Sequence, residues 1–138
     1  MPITYKLEPD FGIVYHEFTG EICLSEFEQY WRTLLTDPSV PDPLVLYADL
    51  RCCSLMVHGD DVRRIVREVI EPQLRGRRWV SAAVVASPAD YGVTKQFMFY
   101  SNDCGVTEVF HDKDEAVSWL MRTASSWTLS DQGNRAEV

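Results

Sequence analysis

Two short, nearly unbroken apolar runs restrict the fold more than any other feature: Leu44-Val45-Leu46-Tyr47-Ala48 and Trp79-Val80-Ser81-Ala82-Ala83-Val84-Val85-Ala86. Neither alternates apolar with polar, so each suits a strand covered on both faces. Such strands belong to parallel sheets, and parallel neighbours need a crossover, usually a helix. The segment between the runs supplies one. It starts near Gly59-Asp60-Asp61, carries an apolar stripe of Val62, Ile65, Val66, Val69 and Ile70, and is marked off by Pro72 and Gly76.

The flanks continue the pattern. Ile3, Tyr5 and Leu7 alternate with polar residues, Pro9-Asp10-Phe11-Gly12 is a turn signal, and Ile13 to Thr19 reads as a second strand closed by Gly20. The short connection makes these two an antiparallel hairpin. Ser25 with Glu28 reads as a capping box, followed by the helical stripe Phe27, Tyr30, Trp31, Leu34 and Leu35. Ser87-Pro88 reads as the start of a third helix running to about Asp103, with Gly105 as its C-terminal cap. Thr107 to Phe110 is a short last strand, and Asp112 caps a fourth helix holding Ala116, Val117 and Leu120. The expected class is therefore α/β: a single-layer, mostly parallel five-stranded sheet with an N-terminal β-hairpin and four helices packed on it. Residues 1–124 form this one domain. Residues 125–138 lack periodicity and read as a flexible tail, with Trp127 as the one side chain able to dock.

Length fits that division, since 138 residues is an ordinary single-domain size, and 46% apolar with 25% charged residues is an ordinary globular composition. The net charge of −8 argues against a general nucleic-acid binder, because phosphate neutralisation needs a basic surface. No apolar run reaches the roughly 18 residues that a membrane span requires. Cys23, Cys52, Cys53 and Cys104 form no C-x-x-C pair, and the N-terminus lacks a signal-peptide pattern, so free thiols in a reducing, cytoplasmic compartment are expected. One stretch runs against the overall charge. Arg63, Arg64, Arg67, Arg75, Arg77 and Arg78 face only Glu68 and Glu71 in return, a local +4. It reads either as a solvated helix face with a basic turn or as a peripheral contact for an acidic partner or an anionic membrane.

Chemistry-bearing residues gather where the strands end. Asp49, Arg51, Ser54, His58, Ser87, Asp90, His111 and Asp112 are expected at the carboxyl edge of the sheet, where ligands of open α/β folds bind. Ser, His and Asp are all present there, which leaves a small hydrolase as a further alternative, but no serine stands in a G-x-S-x-G elbow and no catalytic residue is assigned. The histidines and cysteines have no metal-site spacing, and His16, between Val14 and Phe18 on one strand face, reads as a partly buried polar residue. No Gly-rich phosphate loop occurs, and Asp60 and Asp61 at the second helix start repel an anion, so no cofactor is expected. The third helix carries more information. On a helical wheel Val93, Phe97, Tyr100 and Cys104 make a core stripe, while Tyr91, Met98 and Phe99 flank Lys95 on the other side. A helix apolar on two sides asks for a second cover. The alternatives are a neighbouring loop or tail, a homodimer partner, or a nonpolar ligand beneath it.

Several segments together resemble the SpoIIAA-like family, related to STAS domains and anti-sigma-factor antagonists. They are the opening strand-turn-strand, Phe18-Thr19-Gly20-Glu21 before the first helix, Leu46-Tyr47-Ala48-Asp49-Leu50-Arg51 before the second, Ala86-Ser87-Pro88 through Tyr91-Gly92, and Val109-Phe110 to Trp119-Leu120. The resemblance covers roughly residues 3–124. It implies a mixed sheet flanked by helices and a binding or regulatory role rather than an enzyme. In the antagonists a serine at the start of the second helix is phosphorylated; here His58-Gly59-Asp60 fall at the matching positions and Ser54 is the nearest hydroxyl. Other members look similar to the lipid-carrying Sec14 class, which implies an apolar, lipid-like ligand or a regulatory protein as partner.

Overall fold

The computed structural model describes residues 3–8, 12–41, 43–74, 77 and 79–137, with side chains up to Ser126. Strand β1 (Ile3–Glu8) and strand β2 (Ile13–Cys23) form the antiparallel hairpin, Ile3 pairing with Phe18 and Glu8 with Ile13. Gly12 supplies the left-handed residue of the turn at φ 67°; Pro9, Asp10 and Phe11 lie outside the described residues. Then follow α1 (Leu24–Leu35), β3 (Leu44–Met56), α2, β4 (Trp79–Val85), α3 (Pro88–Tyr100), β5 (Val106–Phe110) and α4 (Lys113–Glu137). Helix α2 runs as Gly59–Ile65, a π-helical stretch Val66–Ile70 and a last turn Glu71–Gln73. The wider π turn comes directly before Pro72, which has no N–H to donate and whose ring crowds the preceding turn.

The five strands lie side by side in chain order, β2 to β5 parallel and β1 antiparallel at the edge. This order explains the layers. Three successive right-handed crossovers, each stepping one strand in the same direction, place their helices on the same face. The main core accordingly joins Val14, Phe18, Ile22, Leu46 and Leu50 of the sheet to Trp31 and Leu34 of α1, Val62 and Ile65 of α2, and Phe97 of α3. Only α4 crosses the opposite face, where Ala116 and Leu120 pack on Ile13, Val45, Tyr47, Val80, Ala82 and Val84. Both faces of the central strands are thus covered, as their continuous apolar runs require.

Several boundaries differ from those expected. Gly20 does not close β2; it lies inside it at φ 72°. Between Glu17 and Thr19 the register slips, so that Leu50 and Arg51 of β3 together oppose Phe18. This bulge switches the parity of β3: Leu46, Ala48 and Leu50 face the three-helix side before it, Cys53 and Leu55 after it. Strand β3 therefore continues to Met56 instead of ending at Ala48. The cap of α1 is Cys23 and not Ser25: its backbone N–H donates to Glu26 Oε1 at 3.1 Å. Glu28, released from capping, accepts from Arg64 at 2.7 Å and ties α1 to α2. Helix α3 ends at Tyr100, and Gly105 serves packing rather than capping, since a Cβ there would come 1.3 Å from the Trp79 ring. Helix α4 keeps its Asp112 cap, with the Glu115 N–H donating at 3.0 Å, and runs to Glu137, past residue 124 where the sequence pattern stops. The Trp127 side chain lies outside the described residues.

Candidate functional site

The site is built around α3. Its N-cap is Ser87, whose Oγ accepts the Asp90 N–H at 3.1 Å, with Pro88 in the first turn. The side of α3 turned inward is unusually polar for a core helix: Asp90, Thr94 and Phe97 are its buried residues, only one of them apolar, and the buried Ser101 follows as its C-cap. Each polar group is accounted for locally. Asp90, only 1% exposed, accepts the Leu55 N–H through Oδ1 at 2.9 Å and lies 3.9 Å from the Cys53 thiol. Burial, then the Asp90 charge, pushes the Cys53 thiol up to about 12. Thr94 and Ser101 donate to the Asp90 and Phe97 carbonyls four residues back, at 2.8 and 2.6 Å. Such back-bonding satisfies a hydroxyl without adding contact to the sheet.

Beneath α3 the packing is incomplete. A cavity of about 60 Å³ lies between the sheet, α1 and α3. Its walls are Phe18 of β2, Phe27 and Trp31 of α1, Leu50 and Leu55 of β3, and Val93, Thr94 and Phe97 of α3. Its floor follows from two cross-strand rows of the sheet. One reads Leu46–Ser81–Thr107 across β3, β4 and β5; the next reads His16–Ala48–Ala83 across β2, β3 and β4. Two alanines and a serine stand at the sheet centre, where larger side chains would fill the space. His16 is 3% exposed and burial lowers its pKa to about 3, so the imidazole is neutral; its Nε2 lies 3.2 Å from the Tyr30 hydroxyl. It is thus wholly rather than partly buried. Trp31 and Phe97 of the wall pack with Trp79 behind them, ring centroids 5.5–5.6 Å apart.

The residues singled out on α3 divide as the wheel places them. Phe97 is buried, and Val93, Tyr100 and Cys104 pack against the core. Phe99 is 78% exposed and Tyr91 37%, with Met98 half-buried. The Tyr91 ring stacks on His111 (5.8 Å, 12°), Lys95 Nζ sits 5.6 Å over Tyr91, and His111 Nδ1 lies 3.3 Å from the Val85 carbonyl.

The strand-end polar residues are not one cluster. β3 runs seven residues from Asp49 to Met56, on the order of 20 Å at strand rise, so these groups are spread along an edge. Asp49 is held by Arg51, whose Nε and second guanidinium nitrogen donate at 3.0 and 2.8 Å and keep the carboxyl below its usual range. Asp49 lies on the opposite sheet face, in an open groove beside α4 with Tyr15, Tyr47 and Lys113. Ser54 is exposed, 3.9 Å from Met56 Sδ, and His58 caps α2, its N–H donating to Asp61 at 3.3 Å. His111 belongs instead with Tyr91.

The basic stretch is partly neutralised. Arg64 bridges Glu28 and Glu68, Arg77 donates to the Pro41 carbonyl at 3.4 Å, and Arg63 and Arg67 are exposed. Arg75 and Arg78 lie outside the described residues. Among the described residues no group of three His, Cys, Asp or Glu converges as a metal site, and no helix is long and apolar enough to cross a membrane.

The sequence places Asp90 at the strand-end edge and assigns no role to Ser81 and Thr107. The signal for the cavity is the Ser81-Ala82-Ala83 triplet inside a valine-rich strand.

This architecture is that of a SpoIIAA-like fold. The chain is similar to an uncharacterized protein of the DUF3478 family from Shewanella loihica PV-4, whose crystal structure has a SpoIIAA-like fold: 16% identity, TM-score 0.52, covering 86% of this chain and 91% of that one. No family model matches the sequence, and no curated protein matches it.

Proposed function

We propose that the chain is a non-enzymatic binding module that holds a small apolar ligand between α3 and the sheet. The apolar cavity of about 60 Å³ at that place carries the reading. A volume of 10–15 Å³ of this kind admits one water-sized unit, so the space takes roughly four to six non-hydrogen atoms. A longer, lipid-like chain enters only if α3 moves. Asp90 and Thr94 on the inner side of α3, with Gly92 in its second turn, favour such movement because they leave Phe97 as the one buried apolar anchor of the helix. The cost of Ala48, Ser81 and Ala83 at the sheet centre also supports a use for the space, since local rules of packing are broken most often at functional sites. The test is thermal denaturation with and without small hydrocarbons, together with native mass spectrometry of the freshly purified protein. A saturable rise in Tm is expected; an unchanged Tm with every hydrocarbon overturns the reading.

A second reading has its own observation. Phe99, 78% exposed on the outer side of α3, offers an anchor for a protein partner or a second copy of the chain, beside Tyr91, Lys95 and Met98. Light scattering on the native chain and on Phe99→Ser addresses it: a dimer lost in the variant is the expected result, and a concentration-independent monomer removes the homodimer.

A further inference from the structure

The lining of the cavity limits what it can hold. Its polar groups are few and all neutral: among the described residues none of the side chains around it is Asp, Glu, Lys or Arg. An ion placed there would lose its hydration with no opposite charge to replace it. Burial keeps the His16 imidazole in its neutral form, in agreement with that exclusion.

The cavity is nevertheless not a purely hydrocarbon space. Among the described residues the Trp31 indole N–H finds no hydrogen-bond acceptor, although Trp31 is only 6% exposed and forms part of the wall. The buried Thr107 hydroxyl likewise has no partner among the described residues, and the register sets Thr107 directly beside Ser81. A buried donor left unpaired is destabilising, and native folds pair nearly all of them. Two unpaired groups on the walls of one cavity point to an occupant that brings an oxygen.

We infer that the ligand of this cavity is an uncharged molecule of a few non-hydrogen atoms, apolar except for one hydrogen-bond-accepting oxygen of the ketone, aldehyde or alcohol kind, which takes up the Trp31 N–H and the Thr107 hydroxyl. This rests on the ligand-binding reading above and adds its chemistry. The alkyl part lies over Ala48 and Ala83 against Phe97, and the oxygen lies toward Trp31 and Thr107.

The experiment is a titration of the full-length, ¹⁵N-labelled protein with butan-2-one, cyclopentane and butyrate at neutral pH, following the Trp31 indole cross-peak, assigned with Trp31→Phe. Butan-2-one is expected to shift the peak saturably and to bind more tightly than cyclopentane. Butyrate is expected to leave the peak in place. Thr107→Val is expected to weaken butan-2-one by about five- to tenfold, the loss of one hydrogen bond, and to leave cyclopentane unchanged. Ala83→Val, which fills the floor, is expected to abolish both responses. If cyclopentane binds as tightly as the ketone, or butyrate binds equally well, the oxygen-bearing neutral ligand is overturned while the apolar cavity stands. If neither the ketone nor the hydrocarbon perturbs wild type, both readings fall.

Discussion

The Asp90 carboxylate accepts the Leu55 backbone N–H at 2.9 Å, and so fastens the first turn of α3 to the far end of β3. The carboxylate is buried, sits in the first turn where the helix dipole favours negative charge, and meets no basic side chain in its hydrogen bonds. One end of the helix over the cavity is thus fixed by the Asp90–Leu55 bond, while Phe97 is the buried apolar contact of its inner side.

Asp90→Ala removes that clasp and leaves the Leu55 N–H unpaired, with an expected loss of about 1–3 kcal/mol. Asp90→Asn keeps an acceptor and loses less. Urea denaturation gives the totals, and faster amide exchange at Leu55 and along α3 in the alanine variant locates the effect.

His16 makes stability fall with acid. Its folded pKa of about 3 lies below the ordinary value of 6.5, so between those limits the unfolded chain binds a proton that the folded chain does not. This contribution is fully present above about pH 6.5 and declines as pH falls toward 3, with a slope near 1.4 kcal/mol per pH unit. His16→Gln, which keeps an acceptor for the Tyr30 hydroxyl, is expected to flatten that part of the profile. Denaturant titrations at a series of pH values from 4 to 7 measure the slope in both proteins.

Two glycines respond oppositely to alanine. Gly105 has the fully buried Trp79 ring 1.3 Å from where a Cβ would stand, so Gly105→Ala forces displacement of the ring and destabilises by at least about 1–3 kcal/mol. Gly92 has open space around it in a helix, so Gly92→Ala is expected to stabilise by about 1 kcal/mol. Thermal melts of the two variants check both signs.

The two sides of α3 separate in the same way. Phe97→Ala removes a ring stacked on Trp31 and is expected to lose about 3–5 kcal/mol, whereas Phe99→Ser on the exposed side changes stability by less than about 0.5 kcal/mol. Equal losses in the two variants contradict this placement.

The sequence alone disclosed the class of fold, the antiparallel first hairpin, and the caps at Ser87 and Asp112, because each rests on a local pattern. Tertiary relations hid the rest. The bulge opposite Phe18 extends β3 to Met56 with no change in composition to mark it, and it dispersed the expected polar cluster by placing Asp49 and His58 at different parts of the molecule. Glu26, three residues after Cys23, is the capping acceptor, while Glu28 pairs with Arg64, distant in sequence. Tyr91, Met98 and Phe99 were legible as a surplus apolar side; the void was not, because it depends on Ala48 and Ala83 becoming neighbours across two strands.

A crystal of the protein pressurised with xenon tests the central claim most directly. Xenon occupies dry apolar cavities, and the account predicts one ordered atom over the Ala48 and Ala83 methyl groups, beneath Phe97. A space filled instead by side chains, or by ordered waters that persist under xenon, would contradict it.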